Sequence, residues 1–198
     1  DVCSSDLLGR NDRAAELLAE IVAENPVNLA AYDQLSKIHL LRGEFDRAAV
    51  AMRQALLLAP IDPRRHEDII RTSLRAGDHA GALQAATEAE AKFPYITGFT
   101  VLRAITLSQA GDHAAAMMAF ERALVSAANS NPELLDNEFY LSYGGAAERA
   151  GHHVKAAELL KKSSALDPAR SAQACNYLGY MWADRGENLA RSEEHTSE

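Results

Sequence analysis

The chain has 198 residues, 47% of them hydrophobic, 24% charged and 6% aromatic, with a formal net charge of −8. That length supports a sizeable core, and the acidic balance argues against a nucleic-acid partner held by charge. Only Cys3 and Cys175 are available, which excludes a disulfide framework, and no uninterrupted apolar run is long enough to cross a bilayer.

In chain order, one spacing organises everything. Gly9, Gly43, Gly77 and Gly111 recur every 34 residues, and Gly151 and Gly186 follow after 40 and 35. Ala14, Ala48, Ala82, Ala116 and Ala156 each stand five residues after their glycine. Pro26, Pro60, Pro94 and Pro168 close the units, with Ala128 where the fourth unit's proline would fall. A fixed period of this size marks a stacked repeat architecture.

Each unit divides at its glycine into two predicted helices. Asn28 to Leu41 opens on a capping Asn and puts Tyr32, Leu35 and His39 on one stripe, while Asp62 and Pro63 form a cap followed by proline in the first turn. After the glycines, Arg47 to Leu58, Ala80 to Ala91, Ala114 to Ala127 and Lys155 to Ala165 are rich in helix formers, with apolar residues every three or four positions. Pro94 to Val101 has poor helix propensity, yet the period holds on both sides and assigns it to a first helix. The fourth unit is longer by six around Ser126 to Asn137, where Asn129 to Pro132 reads as a loop before a helix start; the insertion either bends the stack or extends a helix. Small residues at the eighth position of the first helix and at the alanine of the second let the two helices approach closely.

These residues resemble the tetratricopeptide-repeat family. The second unit matches its pattern as Tyr32, Leu35, His39, Gly43, Phe45, Ala48, Met52, Ala55 and Pro60. The fifth matches as Tyr140, Tyr143, Gly144, Gly151, His153, Ala156, Leu160 and Pro168, and the fourth keeps Gly111, His113, Ala116, Phe120 and Ala123. The sixth carries Leu178, Gly179, Trp182 and Gly186. The resemblance implies an all-α fold, a right-handed α-solenoid of antiparallel helix hairpins. The units are placed at about 8–28 (partial), 29–62, 63–96, 97–136, 137–171 and 172–190 (partial).

Both ends have a different character. Arg191 to Glu198 back-translates to AGATCGGAAGAGCACACGTC followed by TGAA, which resembles a sequencing-library adapter. The reverse complement of the first string encodes Asp1 to Leu7. Residues 1–7 and 191–198 are therefore expected to be non-native, the chain being a piece of a longer and bacterial-type protein. Without them the formal charge falls from −8 to −4, as one basic and five acidic residues are removed. Cys175 is then the remaining cysteine, at a first-helix position where a small buried residue is expected. Localisation is open between cytoplasm and periplasm, and membrane association is unknown.

Catalytic chemistry finds little support. His79, His113 and His153 occupy a slot where the family has an aromatic ring, and His39 and His66 fall at similar positions, so packing rather than metal ligation is expected. Glu67 with Asp68, and Asp136 with Glu138, lie on charged helix-opening stretches. No nucleophile elbow, phosphate loop or Cys-His arrangement is present. No cofactor, metal or small-molecule substrate is expected.

The resemblance instead directs attention to the concave face lined by first helices. Its register places Asp33, Lys37 and Leu40 inward, then Arg64, Glu67, Arg71 and Arg75. Gly98, Val101, Ile105 and Gln109 follow, then Glu138, Leu141, Gly145 and Glu148, and finally Gln173, Asn176 and Tyr180. The candidate peptide-contacting residues are Lys37, Arg64, Arg71, Arg75, Val101, Ile105, Leu141, Asn176 and Tyr180. The face runs from basic through apolar to acidic, which suits a peptide with an acidic end and an apolar centre. Alternatively, the arginines of the third unit solvate one helix through pairing of Glu67 with Arg71. Members that grip a terminal carboxylate use Lys and Asn; here Asp33, Glu67, Asp68 and Val101 occupy such positions, which does not support that ligand.

The function expected is a non-catalytic scaffold for a peptide or partner protein. Two alternatives are the substrate-docking arm of a larger enzyme of glycosyl- or sulfo-transferase type, and a structural component of a bacterial envelope or secretion assembly.

Overall fold

The computed structural model describes residues 2–170 and 172–184. Ten α-helices lie among them: α1 (Val2–Glu24), α2 (Leu29–Leu41), α3 (Phe45–Leu58), α4 (Pro63–Ala76), α5 (His79–Lys92), α6 (Thr97–Gln109), α7 (His113–Ser130), α8 (Asn137–Arg149), α9 (His153–Leu166) and α10 (Ala172–Asp184). Short 3-10 turns at Pro132–Leu134 and Pro168–Arg170 complete the described secondary structure, which contains no strand. The chain divides after Phe93 into two compact units. In the first, α1 packs on α2, α2 on α3, α3 on α4 and α4 on α5. In the second, α6 packs on α7, α7 on α8, α8 on α9 and α9 on α10, and α6 also meets α8.

The expected turn glycines explain why helices pair antiparallel. Gly43, Gly77, Gly111 and Gly151 have φ of 71°, 78°, 89° and 82°. The residue after each returns a backbone N–H to the preceding helix, Glu44 to His39, Asp78 to Ser73, Asp112 to Leu107 and His152 to Ala147. A positive φ there satisfies the last carbonyls and reverses the chain. Gly9 departs from this expectation: it lies inside α1, which runs unbroken through it and through residues 2–7. Glycine permits the left-handed turn without requiring it, and costs only about 1 kcal/mol within a helix. Gly186 lies outside the described residues.

Helix starts follow the same local logic. Asn28, Asp62, Asp78, Asp112 and Asp136 each accept a hydrogen bond from an N–H in the first turn of α2, α4, α5, α7 and α8. The six extra residues of the fourth unit lengthen α7 to 18 residues and add the turn at Pro132–Leu134, so the insertion extends a helix.

The interiors hold what the period predicts. Ala48, Ala82, Ala116 and Ala156 are all fully buried. Opposite such small residues stand large ones, most clearly in the second unit. There Phe120 stacks on Tyr143 at 5.2 Å between centroids, and Phe139 meets both edge-on. Gly144 lets α8 approach α9, since a Cβ there would lie 2.9 Å from Leu160 Cγ.

Cys175 requires a correction. It is exposed, while Ala174 and Leu178 are buried. Those two lie four apart and take the inward stripe of α10, which turns the residue between them outward. The side chains of Met181 and Trp182 lie outside the described residues. No helix among the described residues is long and apolar enough to cross a membrane.

Candidate functional site

Two first helices build the candidate site in the first unit. Helix α2 begins at its Asn28 cap and carries Asp33, Ser36, Lys37 and Leu40 on one stripe. Helix α4 begins at Asp62 and Pro63 and ends at Gly77, burying His66, Ile69, Ile70, Thr72 and Ser73. Its opposite edge carries Arg64, Arg65, Asp68, Arg71 and Arg75. Together with Met52 of α3, these residues line a groove of about 450 Å³.

Charge in the groove is partly tied down. Arg65 spans from α4 to α2 and grips Asp33 bidentately, Nη1 to Oδ1 at 2.5 Å and Nη2 to Oδ2 at 2.9 Å. These bonds hold the Asp33 carboxyl below its ordinary range, with the charges of Arg65 and Lys37 adding to the effect. Arg71 donates from Nε to Glu67 Oε1 at 2.8 Å along the exposed side of α4. Arg75 lies over the Phe45 ring, 4.3 Å from its centroid. Asp68 is pushed the other way: desolvation in the groove raises its carboxyl, and the neighbouring Glu67 and Asp62 charges reinforce this.

Of the sequence-derived candidates, Lys37, Arg64, Arg71 and Arg75 are thus brought to one groove. The section expected to be basic is mixed, since Asp33, Asp62 and Asp68 line it too. Glu67 does not line it and instead pairs with Arg71, as the alternative had it. Arg65 was missed. The available signal was a charge-complementary pair, Asp33 and Arg65, 32 residues apart in adjacent first helices.

Val101, Ile105, Leu141 and Asn176 belong to the second unit. Val101 and Ile105 on α6 and Leu141 on α8 are half-buried, and Asn176 on α10 is exposed. The side chain of Tyr180 lies outside the described residues. Arg149, also missed, joins the three first helices of this unit. It donates to Tyr177 Oη at 2.9 Å and reaches Ser108 Oγ at 3.5 Å.

Among the histidines, His66 packs as a ring. His66 is buried edge-on against Phe93 at 5.2 Å and donates from Nε2 to the Pro60 carbonyl at 3.0 Å. His39 Nδ1 lies 2.6 Å from Glu44 Oε2. Among the described residues, no group of three or more His, Cys, Asp or Glu is arranged to hold a metal. In the groove itself no histidine is present, and Ser36 donates its hydroxyl to the Asp33 carbonyl at 2.9 Å.

Comparison with known proteins agrees with this architecture. No protein-family model and no curated protein sequence matches the chain. Among solved structures, MamA residues 41-end from Desulfovibrio magneticus RS-1 superposes with a TM-score of 0.71 at 20% identity, covering 85% of this chain and 91% of that one. YrrB, described as a TPR protein with an unusual peptide-binding site, gives 0.67 at 14% identity over 87% of this chain and 85% of its own. TTC0263, a thermophilic TPR protein of Thermus thermophilus, gives 0.59 at 17% identity over 89% and 93%. The fold is that of the tetratricopeptide-repeat proteins, an all-α solenoid of antiparallel helix hairpins.

Proposed function

We propose that this chain is a non-catalytic interaction scaffold that holds a peptide, or an extended segment of a partner protein, in the groove between α2 and α4. The observation that carries the reading is the groove's uncommitted charge. Lys37, Arg64 and Arg75, the last resting on the Phe45 ring, present cationic groups to a space of about 450 Å³, and among the described residues no carboxylate is hydrogen-bonded to any of the three. Arg65 meanwhile fixes the two walls by gripping Asp33. A preformed, walled groove lowers the ordering cost of binding a flexible chain. YrrB, which shares the fold, is described as having a peptide-binding site, which supports a peptide as the class of ligand. The half-buried Val101, Ile105 and Leu141, with Asn176, form a second candidate contact surface on the other unit.

The test is selection from a displayed random-peptide library on the intact chain. Binding of the selected peptides is then compared with a Lys37→Glu, Arg64→Glu, Arg75→Glu variant. Peptides that bind the wild type and lose affinity for the variant support the groove. A selection that enriches no peptide, with intact helical content in both proteins, would remove the scaffold reading.

A further inference from the structure

Four of the eight charged residues that line the groove, Asp33, Asp62, Arg65 and Arg71, are paired within the chain, and the pattern of the other four describes the ligand. Arg65 commits both terminal nitrogens to Asp33, and Arg71 commits Nε to Glu67. Asp62 accepts the Arg64 backbone N–H at 3.0 Å and lies 3.8 Å from Arg65 Nε. Asp68 stands apart. It lines the groove, yet no hydrogen bond or ion pair engages its carboxylate among the described residues; Arg65 and Arg71, whose charges reach it, are bonded to Asp33 and Glu67.

We infer that the groove selects a mixed-charge peptide, one basic side chain flanked by acidic ones, with the base seated on Asp68 and the acids on Arg64 and Arg75. This rests on the scaffold reading above and deepens it. Along α4 the order is Arg64, Asp68, Arg75, with separations of about 6 Å and about 10 Å at 1.5 Å per residue. An extended chain advances about 3.3 Å per residue, so complementary groups fall about two and about three residues apart. The matching pattern is acid-x-base-x-x-acid. Lys37, on the facing wall, adds a further site for an acid. A ligand acidic throughout would place a carboxylate against Asp68, where like charges repel and no cation of the chain is bonded to offset them. The raised Asp68 carboxyl agrees with this, since burial and the Glu67 and Asp62 charges outweigh the offset from Arg65 and Arg71.

Three synthetic peptides of equal length test the inference on the intact chain. One carries Glu-Ser-Lys-Ser-Ser-Glu, one has Glu in place of the Lys, and one has Gln in place of all three charges. Binding is followed by amide chemical-shift changes, which register weak complexes. The mixed peptide should bind best and shift amides of α2 and α4. Asp68→Asn should weaken it about three- to fivefold, the scale of a solvent-reached ion pair, while leaving or improving binding of the acidic peptide. Acidic peptide bound as tightly as mixed peptide by the wild type, or an unchanged preference in Asp68→Asn, would overturn the mixed-charge selection and leave the scaffold standing. Shifts confined to other helices would overturn the groove assignment alone. Absence of binding by these peptides and by any library-selected peptide would defeat both.

Discussion

Gly144 and Gly145 are consecutive residues of one helix, yet replacing each by alanine should have different effects, with stability gained at Gly145 alone. Both substitutions remove a glycine from the interior of α8, which by itself stabilises by about 1 kcal/mol. The new methyl groups meet different surroundings. At Gly144 the Cβ would lie 2.9 Å from Leu160 Cγ, 3.0 Å from Cδ2 and 3.4 Å from the Leu160 backbone nitrogen. Leu160 is fully buried, as is Tyr143, so the clash is relieved only by moving α9 or forcing a rotamer. Overpacking of this kind costs about 1–3 kcal/mol. At Gly145 the nearest atoms are 3.8 Å away on Arg149 and 4.0 Å on Tyr177, ordinary contacts. Gly144→Ala should therefore be neutral to destabilising by about 2 kcal/mol, and Gly145→Ala stabilising by up to about 1 kcal/mol. Because the propensity gain is common to both, their difference of about 1–3 kcal/mol isolates the close approach of α8 and α9. Amide exchange of α8 and α9 is the suitable assay, since it reports local opening in a stack whose units need not unfold together. Equal protection in the two variants, or greater protection in Gly144→Ala, would refute the account of why this position lacks a side chain.

Four further outcomes follow from electrostatics and backbone geometry. Asp33→Asn should cost about 0.5–1 kcal/mol near neutrality. Because the folded carboxyl is held below its ordinary range, that contribution is present above the unfolded value and disappears as pH falls through the folded one; urea titrations at several pH values read it. Asp68→Asn should act oppositely, since its carboxyl is raised: the variant gains stability at neutral pH, and the gain vanishes as pH falls below the ordinary carboxylate range, which the same titrations follow. Asp78→Ala should destabilise more than Asp112→Ala, which is expected to cost about 1 kcal/mol as a lost cap. Both aspartates cap a helix, but Asp78 also receives Arg53 Nη2 at 2.8 Å; equal urea midpoints would contradict a role for that second bond. Gly111→Ala, at φ 89°, should cost about 1–2 kcal/mol despite open space around it, measurable as a lower midpoint.

What the chain reveals before folding divides along physical lines. Positions that must be small, left-handed or capping are legible because few residues satisfy them. Ala48, Gly77 and Asp62 therefore appear in the sequence with the period of the repeat itself and are found buried, at positive φ and capping α4. Gly9 shows the limit of that reasoning, as a glycine tolerates the turn but does not impose it. Cys175 shows another, since a shift of one residue in the repeat register rotates a side chain by about 100° and takes it from core to surface.

The groove was half legible for a different reason. A repeat period tells which stripe of α4 faces inward, and Arg64, Arg71 and Arg75 lie on it. It does not tell which charges cancel. Arg65 and Asp33 sit 32 residues apart, and their pairing depends on how far one hairpin is rotated against the next, a quantity that no local preference encodes. In the proposed scaffold, cancellation sets the groove's selectivity. With Arg65 committed to Asp33 and Arg71 to Glu67, a row that counts as strongly basic by composition becomes an alternation in which Asp68 is the carboxylate without a bonded partner among the described residues. Specificity in such a surface arises from the charge left unpaired, so the residue whose replacement should most alter ligand choice is the acidic one among the arginines.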